Sequence, residues 1–220
     1  MDFQQNRSIT TLHDLGLRTL EQKESELRLY SGYRPMELVL PCLYSEITGP
    51  ALEAIVEQLA LADYISHITI GLDKATKSEF EDAKRFFKKL KQPHTVIWND
   101  GPRLTDLRQS LENVGLEVGE QGKGRNVWTC IGHVISRGKA EVLAFHDCDI
   151  LTYDRELIAN LFLPLANPDF EFEFCKGYYA RVADGKLNGR VVRLLMGPLL
   201  ASFRATLGAS EYLDFMEAFR

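Results

Sequence analysis

Apolar positions along the chain alternate between two spacings. Glu37-Leu-Val-Leu-Pro-Cys42 is a short apolar run without polar alternation, the pattern of a strand covered on both faces, and Pro41, having no N–H to donate, is expected at its end. Gly49–Asp63 then places Leu52, Ile55, Val56, Leu59 and Ala60 on one helical face, and His67-Ile-Thr-Ile-Gly71 reads as a second strand. The cycle repeats through a charged helix at Lys77–Lys91 with Phe80, Phe87 and Leu90 inward, a third strand at Thr95–Trp98 and a turn at Asn99–Pro102. Leu104–Val114 is expected to be helical, Gly119–Gly124 a loop, Asn126–Arg137 a helix, and Glu141–His146 a fourth buried strand. Strands alternating with helices imply an α/β class, with a mostly parallel sheet and helices on both faces. Ligands in such sheets lie beyond the carboxyl ends of the strands, so functional residues are expected just after each one.

The flanks read differently. Ile9, Leu12, Leu15, Leu20, Leu27 and Leu29 form an imperfect helical stripe that Arg34-Pro35 ends, which predicts an N-terminal helical arm over residues 1–36, packed on the domain or on a partner subunit. Beyond residue 150, Arg155–Leu165 reads as a helix and Phe170–Val182 as an aromatic strand with period-two alternation. Asp184-Gly185 is a turn signal, and Arg190–Leu207 reads as a long apolar helix. With no internal repeat or low-complexity linker, residues 37–220 read as one domain.

Composition narrows the partners. The 220 residues, 45% of them hydrophobic, suffice for one sizeable core, and no apolar run approaches the roughly 18 residues of a membrane helix. The N-terminus lacks the apolar stretch of a signal peptide, so a cytoplasmic protein is expected. A net charge of −5 argues against a nucleic-acid footprint and for small-molecule partners. Cys42, Cys130, Cys148 and Cys175 are far apart in sequence and form no CxxC pair, and read as reduced, mostly buried thiols.

The sharpest chemical feature is His146-Asp147-Cys148-Asp149 directly after the fourth strand. Two carboxylates at i and i+2 at a strand's carboxyl end can converge on one hard divalent cation and the phosphate oxygens it holds; the plain alternative is a helix cap and a solvated carboxylate. The loop Pro41–Glu46 lies where a nucleotide base sits in such a sheet, and Asp73, after the second strand, can accept from ribose or base, although turn and cap chemistry would also explain Glu46 and Asp73. Gly122-Lys123-Gly124 opens a helix, where small residues, free amides and a full positive charge suit a phosphate, or else form an exposed flexible loop. It is not a Walker A loop, and no GxGxxG follows a strand. Lys176–Tyr179, Arg181 and Asn188-Gly189-Arg190 gather cations near one turn, where Arg190 can pair with a phosphate or carboxylate; a solvated hairpin is the alternative. His13, His67, His94 and His133 are scattered and read as structural.

The four segments Leu40–Glu46, Gly122–Gly124 leading into Asn126–Trp128, Asp147–Asp149, and Lys176–Tyr179 with Gly189–Val191 come in an order that resembles the GT-A fold glycosyltransferases, most closely the glucosyl-3-phosphoglycerate synthases, over about residues 37–220. The resemblance implies a Rossmann-like GT-A fold and a nucleotide-sugar donor, UDP-glucose. The donor would be held at Pro41, Cys42, Leu43, Glu46, Asp73, Gly122, Lys123, Asp147 and Cys148. It implies Mg²⁺ or Mn²⁺ on Asp149, with Asp147 touching the ribose or the waters of the metal, so that Asp147, Asp149 and Lys123 carry the chemistry. Gly189, Arg190, Val191 and Val192 would hold a small acidic acceptor, 3-phosphoglycerate, and the reaction would be retaining transfer of glucose to its 2-hydroxyl. The family's acceptor loop and histidine metal ligand would lie beyond Arg220. The arm adds an expectation of a homodimer. Two other readings compete: a nucleotidyltransferase, which would open with a Gly-rich loop that Leu40–Glu46 lacks, and a non-catalytic nucleotide-binding or regulatory module.

Overall fold

The computed structural model describes residues 16–177, 182–183, 186–187, 191–208, 210–213 and 216. They divide into two units, Arg18–Cys175 and a second made of Met1–Leu17 with Lys176–Arg220.

The larger unit is built on four parallel strands, β1 (Met36–Leu43), β2 (Ile65–Asp73), β3 (His94–Trp98) and β4 (Val142–Phe145), in the order β3-β2-β1-β4. Between them run α2 (Tyr44–Ile47), α3 (Pro50–Leu59), α4 (Lys77–Phe87), α5 (Pro102–Asn113) and α6 (Lys123–Arg137), with α1 (Leu20–Ser31) before the sheet and α7 (Arg155–Ala166) after it. Helix ends carry their own signals. Thr76 and Glu79 close a capping box on α4, Pro50 and Pro102 open α3 and α5, and Gly138 ends α6 in the left-handed conformation at φ 58°.

Alternation sends β1 and β2 side chains to two unlike faces. Leu38, Leu40, Cys42, Ile68, Ile70 and Leu72 join one apolar core with α3, α4, α7 and Leu27 of α1. Helices α1 and α7 are tied further by Lys23 Nζ to Glu156 Oε1 at 2.7 Å and Arg155 Nε to Glu24 Oε1 at 2.6 Å. The opposite face is covered by α6, through Val39, Cys130 and Val134, and it is partly polar. There Glu37, 1% exposed, lies 3.1 Å from His67 Nδ1, accepts from Thr69 Oγ1 at 2.6 Å and takes Arg137 Nη1 at 2.9 Å on each oxygen.

Burial alone would raise the pKa of Glu37. The hydrogen bonds from His67 and Thr69 and the charges of His67 and Arg137 outweigh it and hold the carboxyl below its ordinary 4.5. A depressed carboxylate contributes stability that is fully present above the unfolded pKa and is lost as pH falls through the folded one. Glu37→Gln should therefore cost about 3–5 kcal/mol at neutral pH, as for a broken buried pair. In urea titrations from about pH 7 to about pH 3 the difference from the parent chain should narrow below pH 4.5; a difference that stays constant with pH would refute this role.

Three sequence expectations are corrected. Strand β1 continues past Pro41 to Leu43, because the β1–β4 ladder already ends at Val39–Phe145 while Pro41 stays in register with Gly71 of β2. Residues 170–177 of the expected aromatic strand form none: no described strand takes up their backbone bonds, and Phe170 and Phe172 instead pack on each other with ring centroids 5.6 Å apart. In the smaller unit, β5 (Val182–Ala183) pairs antiparallel with β6 (Lys186–Leu187), and the expected turn residues Asp184 and Gly185 lie outside the described residues. Third, the long helix splits into a π-helical turn at Val192–Met196 and α8 (Gly197–Leu207), since Pro198 has no N–H with which to continue an α-ladder. Of the expected arm, residues 1–15 lie outside the described residues, and α1 begins after Thr19, which caps it with Gln22.

Candidate active site

Strand order fixes where a ligand can sit. From β1 the chain moves outward to β2 and β3, then returns to place β4 on the other side of β1, so neighbouring connections diverge at the carboxyl ends of β1 and β4 and leave a crevice there. All four strands run parallel, which puts Leu43, Asp73, Trp98 and Phe145 on one edge.

On the β1 side, Cys42 is 1% exposed and its thiol donates to Leu43 O at 3.2 Å. Glu46, in the first turn of α2, is half-buried, with Oε2 accepting Leu43 N–H at 2.7 Å. Burial, with the charges of Asp149 and Asp147 added, raises the Glu46 pKa, so all three carboxylates share one field.

On the β4 side, Asp147 and Asp149 are exposed and flank Cys148, which is 1% exposed. The β1–β4 ladder ends at Val39 and Phe145, and beyond it the Cys42 and Cys148 sulfurs lie within 4.8 Å of each other. The Cys148 thiol is held well above its ordinary pKa by its hydrogen bond with Cys42 and by burial. His146, behind the loop, hydrogen-bonds through Nδ1 with Asp147 O at 2.9 Å, and burial lowers its pKa to about 4. It is a neutral prop for the loop, packed against the Tyr153 ring.

The third side is the first turn of α6. Lys123 Nζ forms an ion pair with Asp147, and both side chains remain more than half exposed. Helix α6 is locked onto the sheet by Asn126, whose amide donates to Gly71 O at 2.7 Å. Only a glycine allows that approach: a Cβ at residue 71 would fall inside contact distance of Asn126 Oδ1 and Cys130 Sγ. The opening amides of α6 carry the positive end of the helix dipole beside Lys123.

At the fourth side Asp73 is buried and accepts from Gln121 Nε2 at 3.3 Å, while the same nitrogen donates to Asp100 Oδ1 at 2.8 Å. Lys74 adopts a left-handed φ of 55°, and Ala75 N–H then reaches Asp100 Oδ2 at 3.0 Å. Asn99, buried at the end of β3, has neither amide atom hydrogen-bonded.

The structure thus brings Pro41, Cys42, Leu43, Glu46, Asp73, Gly122, Lys123, Asp147, Cys148 and Asp149 to one edge of one sheet. Gly189 and Arg190 lie outside the described residues, as does the Val192 side chain, and Val191 is exposed in the smaller unit. Gln121, Asp100, Asn99 and Asn126 were not singled out from sequence. Amides in a loop or at a helix start carry no distinguishing pattern, and of the four only Asn99 and Asp100, one and two residues past a strand, sat where functional residues are expected. A surface recess of about 440 Å³ lies beside α6 at Arg125 and Trp128, and none of the crevice carboxylates lines it.

A hard divalent ion fits the pair at 147 and 149. Mg²⁺ and Mn²⁺ prefer oxygen donors and are commonly held by one or two carboxylates, with waters and substrate phosphates completing the shell; two exposed carboxylates on one loop, beside a phosphate-sized cationic turn, meet that requirement.

Scanned against protein-family models, the chain matches none. It is 44% identical over 219 residues to the glucosyl-3-phosphoglycerate synthase of Persephonella marina and 35% identical over 226 residues to that of Methanococcoides burtonii, covering 100% of the chain and 54% of each relative. The chain therefore spans about half the length of the curated relatives it matches. Among solved structures it is similar to glucosyl-3-phosphoglycerate synthase of Mycobacterium tuberculosis in complex with Mn²⁺, UDP-glucose and phosphoglyceric acid, with a TM-score of 0.56 and 21% identity. That protein's complex with UDP gives 0.54, and both alignments cover 90% of this chain and 59% of the other. The chain has the GT-A fold of these glycosyltransferases. The crevice between β1 and β4, with its aspartate pair, is the candidate ligand site of this fold. Among the described residues no helix is long and apolar enough to cross a membrane.

Proposed function

We propose that this chain is the donor-binding part of a metal-dependent retaining glycosyltransferase that moves glucose from UDP-glucose to 3-phosphoglycerate. The observation that carries the reading is the meeting of Asp147, Asp149 and Lys123 at the β1–β4 crevice of a chain aligned along its whole length with glucosyl-3-phosphoglycerate synthases.

Pro41, Cys42 and Leu43 line the base, Asp73 accepts from base or ribose, and Gln121 holds that carboxylate in place. Asp149 holds Mg²⁺ or Mn²⁺, with Asp147 on the ribose or on the waters of the metal, and the ion, when bound, neutralises charge on the departing diphosphate. Lys123 exchanges its ion pair with Asp147 for a diphosphate oxygen, and Gly122 and the α6 amides direct their dipoles at the same group. The acceptor 2-hydroxyl attacks the anomeric carbon from the face the diphosphate leaves, the glycosidic bond forms as the C–O bond to UDP breaks, and the hydroxyl proton passes to the departing oxygen. Gly189, Arg190, Val191 and Val192 hold the acceptor, with the Arg190 guanidinium on its phosphate or carboxylate. We place the protein in the cytoplasm as a homodimer, a reading to which the free thiols and the apolar stripe of the arm lend support.

The test is release of UDP from UDP-glucose with Mn²⁺, with and without 3-phosphoglycerate. Acceptor-dependent release supports the transferase, and release at the background hydrolysis rate with intact UDP binding would favour the binding-module reading. Lys123→Ala should weaken UDP about 10-fold, on the order of 1.5 kcal/mol, as for one charge-assisted hydrogen bond in a half-exposed site. Unchanged affinity would remove Lys123 from the phosphate site.

A further inference from the structure

We propose that Cys42, Glu46 and Cys148 form a second, soft divalent-cation site that takes Zn²⁺, and that Zn²⁺ there excludes the nucleotide donor. The Sγ atoms of both cysteines and a carboxylate oxygen of Glu46 lie within 4.8 Å of one another. A tetrahedral zinc ion with Zn–S near 2.3 Å and Zn–O near 2.1 Å needs donor–donor separations of about 3.5–3.8 Å, which rotation of three side chains about χ angles can supply without moving the strands. Cys42 lies near the end of β1, Glu46 in the short helix α2 that follows it, and Cys148 in the loop three residues past the end of the neighbouring β4, so the three donors meet at the carboxyl edge of the sheet.

The donor set separates this site from the one at Asp147 and Asp149. Two thiolates and one carboxylate suit zinc, whereas Mg²⁺ and Mn²⁺ prefer the all-oxygen pair. Three protein ligands leave the fourth position open towards the crevice, where water or a carboxylate of the neighbouring loop completes the shell. The field there is negative: Asp147 and Asp149 both act on Glu46, and Lys123 is already engaged by Asp147. Coordination replaces the two thiol protons, which leave to solvent, so that one Zn²⁺ enters for two H⁺. The exclusion of donor rests on the function proposed above, because Cys42 belongs to its base-binding set; the cation site itself does not.

Cobalt(II) is the direct probe, since thiolate-to-cobalt charge transfer gives an absorption band that oxygen-ligated cobalt lacks. Titrated into the reduced, metal-free chain, Co²⁺ should produce this band, saturating at one equivalent and abolished by Zn²⁺. Cys42→Ser and Cys148→Ser, checked for folding by circular dichroism, should each lose the band and weaken Zn²⁺ at least about 10–100-fold. Cys148→Ala serves if the serine variant does not fold, and Cys175→Ser should keep the band. Absence of the band in the parent chain, or its survival in folded variants of both cysteines, would overturn the site. UDP with Mg²⁺ should raise the Co²⁺ concentration needed for half-saturation about 10-fold. If calorimetry shows UDP bound while the cobalt titration is unmoved, the exclusion is overturned; if UDP does not bind at all, it is the donor reading that has failed, and the band still decides the cation site.

Discussion

Asp149→Ala should abolish the Mn²⁺-dependent part of UDP binding, a loss of about 100-fold or more, or roughly 2.7 kcal/mol at about 1.4 kcal/mol per tenfold. The size follows from the position of the carboxylate. It is exposed at the crevice, so in the empty protein its removal should cost little, whereas under the proposed function it is the carboxylate that contacts the ion directly. Its loss should leave the ion bound less tightly, with phosphate and water making up more of the shell. Asp147→Asn should behave differently, because that residue also holds Lys123; freeing the lysine for the diphosphate offsets part of the loss. Isothermal titration with UDP, with and without Mn²⁺, separates the contributions: residual metal-free binding should be the same in the Asp149→Ala and parent chains. An equal Mn²⁺ enhancement in both would place the ion elsewhere.

Gly71→Ala should be the most damaging single methyl in the sheet unit. The added Cβ would sit within contact of Asn126 Oδ1 and Cys130 Sγ and 2.9 Å from Asn126 Cγ, all on the buried face of α6. Overpacking at such a site costs typically about 1–3 kcal/mol, and losing the buried Asn126-to-Gly71 hydrogen bond about 1–3 more. A total of about 2–6 kcal/mol corresponds to a fall in Tm on the order of 4–24 °C for a domain of this size. Because Asn126 is one turn from Lys123, relief of the clash by lifting the start of α6 should also weaken UDP. Calorimetric Tm and UDP titration on the same preparation test both effects, and a Tm within about 1 °C of the parent would show that α6 does not pack here as described.

Local chemistry was the legible part of the site. Asp147 and Asp149 are two residues apart after a strand, Lys123 opens a helix, and each follows from one segment read alone. What escaped were contacts whose members are far apart in sequence: Gln121 with Asp73, Asn126 with Gly71, and Glu37 with Arg137. In the sequence Glu37 stands only as the first residue of an apolar run. In the structure it is the centre of a buried charge network, which requires a helix arriving a hundred residues later to supply the guanidinium. The aromatic segment at 170–177 failed for the converse reason, since its alternation was sound but strand formation needs a neighbour.

Hydrophobic periodicity alone was enough for four strands, their helices and the parallel class, because burying one face of each element is the dominant free-energy requirement and leaves its period in the sequence. Strand order, with β4 set beside β1 rather than beyond β3, belongs to the assembled sheet, and with it comes the crevice. That order brings Cys42 and Cys148, more than a hundred residues apart, together beside Glu46, a meeting that no local spacing encodes. A side chain's neighbours along the chain are set by its own element's geometry, but its neighbours across strands are set by which surfaces pack best together, a property of the whole core.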